Sequence, residues 1–126
     1  MSAEKFKDIL NLYNQGKFEE ILKQENALME EFSRVPLVIN IFSELHFRLG
    51  HFTEVIDYNR RLIQLKPDYA EAYNNMGVAY KENSDFSAAI ESYRKAISLK
   101  PGLVQAYNNL GSVSYTHLTL PTILLV

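Results

Sequence analysis

The chain has no cysteine among its 126 residues. That excludes a disulfide framework, thiol catalysis and thiolate metal sites, and it suits a reducing compartment. Nor does one sign of charge dominate: 13 Lys and Arg stand against 15 Asp and Glu, a net charge of −2. The basic footprint that nucleic acid or anionic lipid requires is therefore missing, and neither is an expected partner. No apolar run approaches the roughly 20 residues of a membrane span. The first residues, Met1-Ser2-Ala3-Glu4-Lys5-Phe6-Lys7-Asp8, are charged and lack the apolar core of a signal peptide. With 47% hydrophobic and 22% charged residues the composition is that of a soluble globular domain, expected in the cytoplasm.

Chemistry-bearing patterns are equally scarce. The sequence contains no Gly-rich phosphate loop, nucleophile elbow or Ser/His/Asp arrangement. His46, His51 and His117 form no i, i+4 pair and have no cysteine partners, so no metal site is expected. Glu19-Glu20 and Glu30-Glu31 lie among lysines, the pattern of a solvated helix face and not of an acid–base pair. Neither catalysis nor a cofactor is expected of this stretch.

What is present is a repeat. Sliding the chain by 34 residues places Phe52 on Phe86, Ile56 on Ile90, Arg60 on Arg94, Ile63 on Ile97, Leu65 on Leu99 and Pro67 on Pro101. Asn40 falls on Asn74, and Gly16 and Phe18 fall on Gly50 and Phe52. Within one unit the period is helical: Tyr73, Met76, Gly77 and Tyr80 share one face. After a break at Asn83-Ser84-Asp85, a second stripe runs through Phe86, Ala89, Ile90, Tyr93, Ala96 and Ile97. Lys100-Pro101-Gly102 stops that helix, since proline cannot continue the ladder. Asp68 and Glu71 have the spacing of a capping box for the helix that follows Pro67. Each unit is thus helix–turn–helix, and a lone hairpin of this kind must stack on neighbours to bury its faces.

The unit Ala70 to Leu103 resembles the tetratricopeptide repeat family. Tyr73, Met76, Gly77, Tyr80, Ala89, Tyr93, Ala96 and Pro101 fill its signature positions, with Ser84 in place of one turn glycine. Gly77 costs about 1 kcal/mol of helix propensity relative to alanine, which points to close approach of the paired helix. Pro36 to Tyr69 matches less well, with Ser43 for the glycine, Val55 and Leu62 for the alanines, and Asn59 where its neighbour has Tyr93. Residues 3 to 35 form a divergent first hairpin, and a partial unit starts at Val104 with Tyr107, Leu110 and Gly111. The resemblance implies an all-α, right-handed solenoid of stacked antiparallel hairpins, about 3–35, 36–69, 70–103 and a partial 104–112.

In that family the first helix of each hairpin lines a concave groove that holds extended peptides. Here it offers Leu37, Asn40, Ile41, Glu44, Phe47 and Arg48 in one unit, then Glu71, Asn74, Asn75, Val78, Lys81 and Glu82 in the next. The partial unit adds Gln105, Asn108, Asn109 and Ser112. Asparagine carries a donor and an acceptor at the spacing of a peptide group, so it can bond a ligand's backbone whatever its side chains. Asn75 and Asn109, one repeat apart, resemble the asparagine ladder of O-linked N-acetylglucosamine transferases. Other family members clamp a carboxylate with lysine and asparagine, but Glu71, Asn74 and Val78 stand where that set would begin. The resemblance implies a scaffold for a protein or extended peptide. An alternative implied by the N-terminal layout is the recognition domain of a larger sulfotransferase or glycosyltransferase.

Residues 113 to 122, Val-Ser-Tyr-Thr-His-Leu-Thr-Leu-Pro-Thr, resemble a translated sequencing adapter, the transposase end used in fragment libraries. Residues 113–126 are therefore expected to be an artefactual tail on a gene cut in mid-repeat. The helix from Val104 to about Ser112 is then uncapped and expected to fray or self-associate.

Overall fold

The computed structural model describes residues 2–113. Among these the chain is helical, with no strand: α1 (Ser2–Asn14), α2 (Phe18–Lys23), α3 (Glu25–Glu31), α4 (Pro36–Arg48), α5 (Phe52–Leu65), α6 (Ala70–Glu82) and α7 (Phe86–Leu99). An eighth, α8, covers 104–113. Helices α4 and α5 pair as one hairpin, α6 and α7 as the next, and α5 packs on α6 to join them.

Three turns repeat the same chemistry. Gly16 and Gly50 have φ of 74° and 78°, and Ser84 has φ 62°. At each, the backbone N–H of the left-handed residue bonds three residues back: Gly16 to Tyr13, Gly50 to Phe47, Ser84 to Lys81. The next N–H bonds five back: Lys17 to Leu12, His51 to His46, Asp85 to Tyr80. This is the Schellman ending, which satisfies orphan carbonyls at the helix C-terminus and favours glycine. The turn after the second helix is different. Pro67 and Pro101 follow α5 and α7, which end at Leu65 and Leu99 because proline has no N–H to continue the ladder.

The helix starts depart from expectation at Asp68. The N-cap of α6 is Tyr69, without a side-chain cap bond, so the Asp68–Glu71 capping box does not form. The backbone turn from Lys66 to Tyr69 carries Asp68 off the cap position, and Glu71 instead pairs with Lys100 at 2.9 Å. Asp85 does cap a helix, accepting from Ala88 N at 3.3 Å at the start of α7.

The first hairpin is less regular than a simple pair. Its second helix is interrupted at Gln24 (φ −99°, ψ 7°) into α2 and α3. The break adjoins Glu25, whose carboxylate meets His46 Nε2 at 2.7 Å and accepts the Tyr58 hydroxyl. His46 Nδ1 lies 3.0 Å from His51 Nδ1. A carboxylate only accepts, so His46 Nε2 carries a proton, and one further proton joins the two Nδ1 atoms. His46 is thus a buried histidine with its polar atoms satisfied, as its position on the core face implies. Among the described residues no group of three metal-ligating side chains is placed to hold an ion.

The largest apolar cluster runs from α1 to α6 through Ile9, Ile21, Leu28, Phe42, Leu45 and Leu62. Ile41, read from the sequence as groove-facing, belongs to this core. Smaller clusters form around Met76 and Ala79, and around Tyr93 with Ala89 and Val113. The sequence reading puts Val113 in the tail, yet it lies within α8 and is fully buried, at the position Ala79 holds one repeat earlier. The remainder of that tail, residues 114–126, lies outside the described residues.

Candidate functional site

The first helices of successive units, α1, α4, α6 and α8, lie side by side and form one face of the stack. Three intervals separate them, and a shift of 34 residues maps each interval on the next.

The interval between α6 and α8 is filled. The Tyr93 ring lies against Gly77: a Cβ built on that glycine would stand 2.4 Å from the ring. That confirms close helix approach as the reason for a glycine in mid-helix. Tyr93 is 0% exposed, and burial pushes its hydroxyl up to about 12, with the Glu82 charge adding to the effect. Asn109 Nδ2 donates to Asn74 Oδ1 at 3.1 Å, and Lys81 Nζ donates to Ser112 Oγ at 3.3 Å.

The interval between α1 and α4 is filled differently. Ile9 and Ile41 are buried in it, and the Tyr13 hydroxyl donates to Glu44. That bond is the first cause of the rise in the Tyr13 pKa. Arg48 pairs with Glu44 at 3.2 Å and lies 4.9 Å over the Phe18 ring.

Between α4 and α6 the face is open. A pocket of about 250 Å³ is lined by Asn40, Ser43, Glu44, Phe47, Val55, Asn75 and Val78. Ser43 stands at the Gly77 position and Asn59 at the Tyr93 position. Asn59 is 0% exposed and donates through Nδ2 to Ser43 Oγ and to the Val55 carbonyl, both at 2.9 Å. Asn40 does not bond Asn75 as Asn74 bonds Asn109; it donates to the Tyr69 hydroxyl at 3.2 Å.

The residues singled out from the sequence therefore divide. Asn75 and Asn108 are exposed, while Asn40, Val78 and Lys81 are half-buried along the groove. Asn74 is not on the open face: it is 6% exposed and serves as the acceptor for Asn109. Asn109, expected exposed, is half-buried with one amide proton committed to that bond, leaving its carbonyl oxygen and second proton. Of the two rungs of the ladder, only Asn75 is fully open. Ser43, Val55 and Asn59 were noted as departures from the repeat pattern, not as site residues. Their signal was there: a short amide, Asn59, stands where the next unit has the Tyr93 ring.

The signature residues Tyr73, Met76, Gly77, Tyr80, Ala89, Tyr93, Ala96 and Pro101 take the structural places their spacing implies, with Met76, Gly77, Ala89, Tyr93 and Ala96 buried. This set coincides with a family model: residues 70–103 match the one described as tetratricopeptide repeat. Residues 70–103 are a tetratricopeptide repeat. Solved structures extend that fold over the remaining hairpins. The first tetratricopeptide domain of Spaghetti (RPAP3), bound to the HSP90 peptide SRMEEVD, superposes with a TM-score of 0.76 at 22% identity, covering 87% of each chain. The second such domain of human RPAP3, in complex with the HSP70 peptide SGPTIEEVD, has a TM-score of 0.75 at 18% identity, covering 86% of this chain and 91% of that one. MamA superposes at 0.76 with 25% identity, over 84% of this chain and 62% of its own. In sequence, 77 residues are 32% identical to the probable UDP-N-acetylglucosamine–peptide N-acetylglucosaminyltransferase SEC of Arabidopsis thaliana, covering 59% of this chain and 8% of that protein. No helix of the described residues is long and apolar enough to cross a membrane.

Proposed function

We propose that this array is a scaffold that binds an extended segment of a partner protein along the face of α4, α6 and α8. The observation that carries the reading is the open interval. Asn75 is exposed beside a pocket of about 250 Å³, with Asn40 on the opposite wall and Asn108 and Asn109 one repeat further on. Two structural neighbours hold peptides on the same fold, which supports peptide recognition without identifying the ligand.

The acidic peptides of those neighbours, SRMEEVD and SGPTIEEVD, fit this face poorly. Glu71 is anionic, its carboxyl held below the usual range chiefly by the Lys100 ammonium bonded to it. Asn74 is buried and already bonded, and Val78 carries no charge. A carboxylate placed there would meet Glu71 and gain no clamp, so the expected ligand is an internal, extended, uncharged stretch. Asparagine amides would bond its backbone.

The test is binding of a peptide selected from a displayed library of unstructured sequences, measured by fluorescence anisotropy. Asn75→Ala is expected to weaken binding by roughly 2- to 10-fold, the loss of one or two hydrogen bonds. Arg94→Ala, on α7, should leave it unchanged. Equal affinity of Asn75→Ala and the parent would refute the groove as the site. Asn109→Ala is a poorer probe, because it also removes the partner of buried Asn74.

A second reading is favoured by the 77-residue match to a peptide glycosyltransferase. On it, the array is the recognition domain of a larger glycosyl- or sulfotransferase. Sequencing the native gene that encodes this array tests this: a catalytic domain in the same reading frame supports it, and a gene of repeats alone removes it.

A further inference from the structure

The pocket between α4 and α6 is lined by Ser43 and Val55, the counterparts, 34 residues back, of the Gly77 and Ala89 that pack with Tyr93 in the next interval. Asn59, buried behind them, stands at the Tyr93 position. Where Tyr93 packs its ring on Gly77, Asn59 stops short and bonds Ser43 at 2.9 Å. The bonds that close the next interval, Asn109 to Asn74 and Lys81 to Ser112, have no counterpart here. Asn75 stands open and Phe47 replaces the lysine.

We propose that this pocket is a subsite for one aromatic side chain, tyrosine or phenylalanine, of the bound peptide. The proposal rests on the groove reading above and adds which side chain the groove selects. Three features set the chemistry of the occupant. Its side chains Val55, Val78 and Phe47 are apolar, and Phe47 adds an aromatic ring to the lining. Its one carboxylate, Glu44, is already compensated by Arg48 at 3.2 Å and bonded by Tyr13, so nothing in the pocket calls for a charged guest. Its floor is polar at one point. Ser43 Oγ accepts from Asn59, and its own proton has no acceptor among the described residues. Among the described residues, Asn59 Oδ1 and the Tyr93 hydroxyl, at equivalent positions, are the buried side-chain polar atoms without a partner. A phenol seated on Ser43 could accept that proton, which Tyr93 in its own interval cannot do over a glycine.

The probe is p-cresol, the tyrosine side-chain analogue, titrated into ¹⁵N-labelled full chain and followed by amide chemical shifts. Saturable shifts at Ser43, Val55 and Val78, on the order of millimolar affinity, are expected. The cationic control n-butylammonium should leave those amides unmoved. The variant S43G/V55A/N59Y rebuilds the filled interval in the open one and should abolish the p-cresol shifts. Phe47→Ala, at a partly exposed position, should weaken them several-fold, with unchanged far-UV circular dichroism showing that the fold is kept. Shifts absent from these amides in the parent, or undiminished in both variants, would overturn the subsite. If selected peptides bind with Asn75 dependence but show no aromatic preference, the subsite fails and the groove stands. If p-cresol binds but no peptide does, the peptide is overturned as the source of the aromatic group.

Discussion

The hairpins α4–α5 and α6–α7 solve one packing problem in two ways. At the crossing of the paired helices, α6–α7 has a glycine facing a fully buried tyrosine, and α4–α5 has a serine hydrogen-bonded to a buried asparagine. The first solution is van der Waals contact, and the second is a polar pair in a drier environment. Both leave one buried oxygen unpartnered at the same repeat position. The difference lies in volume. A ring fills the interval in front of it, whereas an amide leaves a pocket. One hairpin of the stack thus acquires a distinct pocket through exchanges at its core, with Phe47 in place of the lysine at the surface.

The sharpest way to break the comparison is to add bulk at Gly77. The Tyr93 ring atoms lie 2.4 to 2.8 Å from where a Cβ would be, and the ring is enclosed. Gly77→Leu should destabilise by about 3 kcal/mol, the upper end of overpacking costs, measured by urea denaturation. The reciprocal exchange G77S/Y93N copies the polar pair of α4–α5. It should recover stability relative to Gly77→Ser alone, by a coupling of about 0.5–3 kcal/mol. Additive effects would mean that the two positions do not form a pair.

Tyr93→Phe sharpens it more gently. The hydroxyl it removes has no partner, so stability at pH 7 should be unchanged or rise by about 1 kcal/mol. The pH dependence carries a sign. With the folded hydroxyl raised to about 12 from 10.0, the native state holds a proton that the unfolded chain has released. That stability is fully present below pH 10 and is lost as pH rises towards 12. Melting temperatures of Tyr93→Phe should therefore decline less steeply than the parent's between these values. Some alkaline loss remains, since Tyr58 is also raised, by burial and by its bond to Glu25. Identical alkaline slopes would show that Tyr93 is not enclosed in solution.

Much of this was legible in the sequence because the repeat enforces it. Helix ends at Pro67 and Pro101, the mid-helix Gly77 and the alanines at 89 and 96 each follow from a local steric rule applied at a fixed period. What escaped were interactions between units. The capping box at Asp68 satisfied a spacing rule, but Glu71 found Lys100, 29 residues away, as a better partner. Asn74 looked like its neighbour Asn75, and only the approach of α8 decides which is buried. Glu25, His46 and Tyr58 lie on three helices and His51 at the N-cap of α5, and no single-helix period joins them. The pocket itself was visible only as a list of mismatches, because an absent side chain has meaning only once the surrounding walls are placed.

The smallest effect concerns the turns that the two hairpins also treat differently. Gly50 and Ser84 hold the same Schellman position, with φ of 78° and 62°, and make the same pair of backbone bonds. A left-handed residue with a Cβ costs roughly 1–2 kcal/mol, a penalty Gly50 avoids and Ser84 does not. Glycine loses more backbone entropy on folding, by about 0.5–1 kcal/mol, so part of the gain is offset. Ser84→Gly should therefore stabilise the array by about 0.5–1 kcal/mol, and Gly50→Ser should destabilise it by a similar amount. Thermal melts of both variants against the parent check the symmetry. The Ser84 side chain is exposed and forms no bond that its loss would forfeit, so a drop in stability for Ser84→Gly would mean that the turn is not held in the left-handed region.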